Sequence, residues 1–275
     1  MHGSHFGHRD LVSLPPASVG VTLLDHLRKP DQRMLAEESP IALVYDGSTV
    51  AVIMATPADL TDLALGFSLT EGIVRGASEI ERLDIVPGAD GIELRMWLAQ
   101  ASGRRLKARR RRMVGPTGCG LCGIESLSEA SRPNPTLERR ISLASSQIAR
   151  AVEALSAAQA LNGATHATHA AGFYVPDDGL VLAREDVGRH NALDKLAGAL
   201  AGRDLRGAGG AIILTSRVSV EMVQKAAAIG SCVITAVSAP TALAVRTAEA
   251  CGMTLVGVAR GSEYEIFTHP ELIRM

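Results

Sequence analysis

Aromatic side chains are scarce in this chain: one Trp, three Tyr and four Phe make up 3% of 275 residues. That scarcity argues against a protein that binds nucleic acid by stacking bases on aromatic platforms. An excess of one charge is missing too, since 28 Lys and Arg stand against 29 Asp and Glu. A polyphosphate backbone therefore finds no strongly cationic protein here. No apolar run approaches the ~18 residues of a membrane helix, and no charged-then-apolar signal peptide opens the sequence. Four cysteines are too few for a disulfide framework in a chain of this length, so the expected setting is a reducing cytoplasm. No internal repeat is present. What remains is 47% apolar and 21% charged, the composition of a globular protein with one large or two modest domains.

Along the chain, the stretch from Met1 with His2, His5 and His8 reads as a disordered arm to about residue 20 rather than a metal site. Ile41 to Tyr45 and Val50 to Met54 read as strands around an Asp46-Gly47 hairpin turn. Pro57 opens a helix to about Gly72, with Leu60, Leu63, Ala64 and Phe67 on one buried face. Leu83 to Val86 and Ile92 to Leu98 read as further strands, and residues 99 to 124 fit no periodic pattern. A helix is expected from Ser146 to Leu161. The second half then alternates. Strands at Phe173 to Val175 and Leu180 to Ala183 lead to a helix from His190 to Leu200. Strand Ala211 to Leu214 precedes a helix from Ser219 to Ala228, closed by Gly230. Strand Val233 to Val237, a helix from Pro240 that ends before Gly252, and a last strand from Thr254 to Val258 follow. Such alternation predicts a parallel sheet covered on both faces, with its chemistry at the strand carboxyl ends. The expected division is the arm 1–20, an N-terminal α+β subdomain 21–118, and a C-terminal α/β domain 119–275.

The densest motif is Gly115-Pro-Thr-Gly-Cys119-Gly-Leu-Cys122-Gly123. Glycines let the backbone bend and let another molecule approach closely. The run of Arg104, Arg105, Lys107 and Arg109 to Arg112 just before it favours a thiolate and offers partners for phosphate. Taken alone, Cys119-x-x-Cys122 fits sulfur transfer or redox chemistry, a metal site, or a structural turn. A zinc site would need two more ligands, and no second pair stands at a finger spacing. Cys232 and Cys251 fall where packed thiols are expected. Glu185-Asp-Val-Gly-Arg-His190-Asn191 crowds polar groups between a strand and a helix, and His169 precedes another strand. Thr215-Ser-Arg217, ahead of the helix with Lys225, offers hydroxyls, helix amides and cations to an anion. Val258-Ala259-Arg260-Gly261-Ser262-Glu263 follows the last expected strand.

Together these segments resemble the formate dehydrogenase accessory sulfurtransferase family. The carriers are Pro40-Ile-Ala-Leu-Val-Tyr45, Leu65-Gly-Phe-Ser-Leu-Thr-Glu-Gly72, Thr117-Gly-Cys-Gly-Leu-Cys-Gly123, Thr168-His-Ala-Ala171, Arg184-Glu-Asp-Val-Gly-Arg-His-Asn191, Glu221-Met-Val-Gln-Lys225, Val237-Ser-Ala-Pro240 and Leu255-Val-Gly257. The resemblance implies a core like the cytidine deaminase fold, a three-layer α/β sandwich with a smaller N-terminal α+β subdomain, used without zinc. It implies that Cys119, with Cys122 beside it, takes persulfide sulfur from a cysteine desulfurase. The acceptor would be the molybdenum (or tungsten) bis-molybdopterin guanine dinucleotide cofactor of formate dehydrogenase, with GDP as a fragment ligand. It assigns cofactor contact to Val258, Ala259, Arg260, Gly261, Ser262 and Glu263, beside Arg217, Lys225, His169 and His190, in a homodimer. At the ends of the last segment the sequence departs from the pattern, with Val258 where relatives often carry Phe and Glu263 where they carry a basic residue. A zinc deaminase is the first rival, but its H-x-E followed by P-C-x-x-C is absent, because the cysteines here precede His169 and Ala171 replaces the acid. The second is a chaperone that holds the cofactor without transferring sulfur.

Overall fold

In the computed structural model, residues 13–113 and 136–275 are described. Strands β1 (Ser18–Leu24) and β2 (Pro30–Ala36) pair as an antiparallel hairpin that contributes to neither hydrophobic core. β1 thus begins inside the span expected to be a disordered arm. Four strands follow: β3 (Ser39–Tyr45), β4 (Ser48–Ala55), β5 (Ile80–Gly88) and β6 (Gly91–Leu98), in the order β4-β3-β6-β5. Asp46 (φ 48°) and Gly47 (φ 77°) turn β3 into β4. Both are left-handed, which matches the twist of a two-residue hairpin.

Helix α1 (Leu60–Thr70) lies on this sheet. It starts three residues later than Pro57 because Asp59, at φ 51°, stands as its N-cap. Leu60, Leu63 and Ala64 are buried with Ile41, Leu43 and Leu94 in the first core. After β6 comes α2 (Gln100–Met113), which corrects the expectation of patternless chain from residue 99. Arg, Lys, Ala, Gln and Leu are strong helix formers, and after Gly103 no breaker intervenes before Met113. Charge hid that propensity, because a cationic run shows almost no apolar stripe. At its start Arg105 pairs with Glu79 at 2.5 Å, and Leu106 reaches the first core.

The chain resumes at residue 136. Strand β7 (Leu143–Ala144) leads into α3 (Ser145–Ala157) and a separate α4 (Ala160–Thr165), where one helix was expected. The break is held by Glu185, whose carboxylate accepts the Leu161 and Asn162 amides at 2.8 Å each and restarts the helix. Then come β8 (His169–Val175), β9 (Gly179–Asp186), α5 (Arg189–Gly202), β10 (Ala211–Leu214) and α6 (Val220–Ile229). They are followed by β11 (Val233–Ala236), α7 (Ala242–Cys251), β12 (Thr254–Arg260), β13 (Glu263–Thr268) and β14 (Ile273–Arg274). The sheet order is β13-β12-β11-β10-β8-β9, while β14 pairs with β7.

This sheet is mixed, not parallel as expected. β10, β11 and β12 are parallel, whereas β8 runs against β10, β9 against β8, and β13 against β12. Turn chemistry decided it. Gly179 (φ 80°) and Gly261 (φ 56°) close hairpins where a helical crossover would be needed for a parallel neighbour. β13 was missed because Glu263-Tyr-Glu-Ile-Phe-Thr268 alternates charged and apolar residues as a half-exposed edge strand does. From β9 through β12 the chain steps across the sheet in one direction. Right-handed crossovers therefore put α5, α6 and α7 on one face, and α3 covers the other. The result is a helix–sheet–helix layering with β8, β10, β11 and β12 at the centre of the second core. No helix among the described residues is long and apolar enough to cross a membrane.

The two halves meet where α1 crosses α5. A Cβ built on Gly66 would lie 1.6 Å from the Asp194 carbonyl oxygen, and one on Gly198 would lie 1.9 Å from that of Asp62. Only glycine permits this backbone-on-backbone approach. Gly198→Ala should therefore cost about 3 kcal/mol through overpacking, although alanine is the better helix former. Gly163→Ala in α4 would place its methyl in open space and should be neutral or stabilising by up to ~1 kcal/mol. Urea unfolding of both variants checks the pair, and equal stability of the two would contradict the close-packed crossing.

Candidate functional site at the carboxyl edge of the sheet

The strand directions gather most of the polar motifs at one edge. β10, β11 and β12 end there, β9 ends there at Asp186, and antiparallel β8 begins there at His169, paired with Asp186. Helices α5 and α6 start from the same edge. From β8 to β12 is three strand spacings, about 14 Å. His169, Arg189, His190, Thr215 to Arg217, Glu221, Ser238 and Val258 belong to this edge.

The crowded motif around residues 184–191 divides into two kinds of group. Arg184 reaches back to α1, with Nη2 2.8 Å from Asp62. Glu185 is spent on α4, as above, and also accepts the Thr168 hydroxyl at 3.0 Å. Asp186 is fully buried and pairs with the equally buried Lys195 at 2.7 Å. Asn191 donates to the Met54 carbonyl and to Asp186. Only Arg189 and His190 remain, half-buried, with Arg189 Nε and His190 Nε2 shielded from solvent and unpartnered among the described residues.

Burial, then the neighbouring Arg189 and Lys225 cations, pull the His190 pKa down to about 4, against the opposing pull of Glu221 and Glu71. Burial also lowers His169, again with Arg189 adding to it. Both imidazoles are consequently neutral near pH 7, so they offer hydrogen bonds rather than positive charge. His190 Nε2 stands 4.0 Å from Glu221 Oε2, beyond hydrogen-bond reach.

Lys225 does not behave as an anion-cradle residue. Its ammonium contacts Asp194 at 2.8 Å, Glu71 at 2.8 Å and Thr70 at 3.0 Å, which takes all three donors. Burial works against its charge, but the Asp194 and Glu71 carboxylates outweigh it and raise its pKa. The expected phosphate contact from Lys225 has no donor left, because the fold uses it to join α6 to the end of α1. Thr215 is similarly tied, accepting the Ala170 amide at 2.9 Å. Arg217 and Arg260 are exposed and make no ion pair among the described residues.

Val258 to Glu263 do not follow the last strand. Val258, Ala259 and Arg260 end β12, Gly261 and Ser262 form a turn, and Glu263 opens β13. The β12–β13 register shifts between Gly257 and Arg260, and Val258 sits at φ 53°. A β-branched residue in the left-handed region is strained. Its amide donates to the Ser238 carbonyl at 3.3 Å, which fixes the bulge against the end of β11. Ala259 is buried, while Arg260, Gly261, Ser262 and Glu263 are exposed. Cys119, Cys122 and the glycines around them lie outside the described residues. Cys232 and Cys251 are buried and burial raises both thiol pKa values, which keeps them protonated.

These features define an α/β protein whose mixed sheet presents an edge of neutral imidazoles, arginines without an ion pair among the described residues and a strained bulge. The profile of the FdhD/NarQ family matches residues 36–274. A protein of Brucella abortus named sulfur carrier protein FdhD is 57% identical over 238 residues, covering 86% of this chain and 88% of its own. Its namesake in Agrobacterium fabrum is 52% identical over 243 residues, covering 88% and 90%. A crystal structure from Desulfotalea psychrophila, described as a candidate formate dehydrogenase accessory protein, has the same fold. Its TM-score is 0.73 at 24% identity, over 94% of this chain and 100% of that one. The chain belongs to the FdhD/NarQ family.

Two outcomes follow from the edge geometry. His190 has a folded pKa of about 4 against 6.5 for the free side chain, so on acidification the unfolded chain takes up a proton that the folded chain refuses. Its contribution to stability is present above pH 6.5 and is lost as pH falls towards 4. His190→Gln should flatten that part of the stability profile in urea titrations at several pH values, and an unchanged slope would contradict the assignment. Val258→Gly should relieve the left-handed strain and raise stability by about 1 kcal/mol. A melting temperature lowered by this glycine would show that Val258 is not strained.

Proposed function

We propose that this protein is a sulfur carrier in formate dehydrogenase maturation, in which Cys119 bears the sulfur as a persulfide. Supporting it most is the identity of 52% and 57% to proteins named sulfur carrier protein FdhD, over nearly the whole length of both. The donor in this reading is a cysteine desulfurase. The Cys119 thiolate attacks the outer sulfur of the donor's persulfide, one S–S bond forms as another breaks, and the donor leaves as a thiolate. The acceptor is the molybdenum (or tungsten) bis-molybdopterin guanine dinucleotide cofactor, bound as substrate along the carboxyl edge.

The chain's own groups suit a long, multiply charged ligand. Arg189, Arg217 and Arg260 supply cations, and the α5 and α6 amide ends face anions favourably. Neutral His169 and His190 can donate or accept a hydrogen bond without adding charge. A cofactor held at a fixed edge supplies proximity, the main catalytic contribution available when the transferred atom is already activated.

Incubation with a cysteine desulfurase and cysteine, followed by intact mass measurement, tests the carrier role. A gain of about 32 Da, one sulfur atom, that reductant removes and that Cys119→Ser abolishes is expected. The same gain in the Cys119→Ser chain would move the role to another cysteine. No gain in either chain would favour a protein that only holds the cofactor.

A further inference from the structure

Thr56, between β4 and α1, is completely buried and directs its amide and hydroxyl at the turn that carries Arg189 and His190, while its carbonyl also accepts the nearby Ala58 amide at 2.8 Å. Its amide donates to Asp186 Oδ2 at 3.1 Å. Its hydroxyl oxygen accepts the Val187 amide at 3.1 Å. Its carbonyl accepts Lys195 Nζ at 2.9 Å. Two residues earlier, the Met54 carbonyl accepts Asn191 Nδ2 at 2.8 Å. Pro57 restricts the Thr56 backbone to extended conformations, so these groups are presented in a preset geometry.

Asp186 completes the arrangement from the other side. Its Oδ1 accepts from the Gly188 amide at 2.8 Å and Asn191 Nδ2 at 3.0 Å, while Oδ2 takes Thr56 and Lys195. Gly188 leaves no slack, since a Cβ there would lie 2.7 Å from Asn191 Nδ2. Helix α5 has no side-chain cap bond of its own at Gly188. The placement of its first residues therefore depends on contacts from outside the helix: from the first half of the chain, Met54 holds Asn191 itself, and Thr56 holds Asp186 and Val187 just ahead of it.

We propose that Thr56 is a positioning residue for the candidate site, its hydroxyl holding the Asp186–Asn191 turn so that Arg189 and His190 stand where a ligand meets them. What the edge is used for rests on the proposed function; the positioning itself does not. The charges that act on His190 are Arg189 from its own helix, Glu221 and Lys225 from α6, and Glu71 from the end of α1, with Glu221 at 4.0 Å. In this arrangement the His190 Nε2 is shielded from solvent.

Nuclear magnetic resonance titration of His190 in the full chain reads the positioning directly. Thr56→Ser keeps the hydroxyl and should leave His190 neutral down to about pH 4. Thr56→Val keeps the shape but removes the acceptor of the Val187 amide. It should raise the His190 midpoint by about one pH unit, a tenfold gain in proton affinity. Ile213→Val, a core truncation in β10, is the stability control and should lower the melting temperature without moving that midpoint. A Thr56→Val chain that is destabilised with an unmoved His190 midpoint would overturn the proposal, as would Thr56→Ser behaving like Thr56→Val. Should Thr56→Val not fold, hydrogen exchange of the Val187 amide in the unaltered chain decides. Exchange as slow as in β10 is expected, and exchange at the rate of an exposed amide overturns the proposal.

Discussion

Charge matched where water does not reach is the constraint on which this structure depends. Asp194 and Lys195 are neighbours on α5, so they point about 100° apart around the helix. Lys195 meets Asp186 at the end of β9 and the carbonyl of Thr56. Asp194 meets Lys225 of α6 and the hydroxyl of Thr70 at the end of α1. Such pairs add little net stability, because desolvating each ion offsets most of the attraction, yet leaving one ion unmatched costs several kcal/mol. They act on register instead. A one-residue slip of α5 would swing both side chains away from their partners at once. The glycine crossing of α1 and α5 fits that demand, since backbones this close leave the two helices one seating.

The same seam explains why so few polar residues at the carboxyl edge are free to meet a ligand. Glu185, Asp186, Asn191 and Lys225 look like site residues in sequence, and each is occupied inside the protein, as is Arg184 beside them. Their occupation leaves Arg189, His190, Arg217 and Arg260, and it holds the first two in place. The electrostatics change accordingly. Burial, helped by the Arg189 and Lys225 charges, depresses His190 instead of preparing it to bind an anion as an imidazolium. An edge assembled this way recognises with arginine and helix amides and keeps its imidazoles uncharged.

Much of the second half was legible because its elements obey local rules. Gly230 and Gly252 end helices at φ 88° and 76°, as C-terminal glycines do, and Ala211–Leu214 is a strand with the expected bounds. The Asp46-Gly47 turn was equally plain. The misreadings have physical causes. Strand direction depends on which neighbour a hairpin selects, and that is settled by pairing, not by periodicity. Helix α2 was masked by charge and β13 by its half-exposure. At the candidate site, the positions of His169, His190 and Arg217 at strand ends and helix starts were legible. Lys225 was read as a ligand because sequence shows the cation but not the two carboxylates that surround it. Thr56 gave no signal beyond a threonine before a proline, since its role lies wholly in partners 130 or more positions away.

That separation governs how the chain must be made. Thr56 and Val187 are 131 positions apart, and α1 cannot cover its α5-facing side until α5 exists. Ribosomes add roughly 5–20 residues per second, so the finished first core waits on the order of ten seconds with one face of α1 open to water. Loop closure over such spans is the slow step in folding, and the exposed helix is the species most prone to stick to other chains meanwhile. A newly made molecule is thus most vulnerable before α5 emerges, and its dependence on chaperones should be set by the speed of synthesis across α5 and α6.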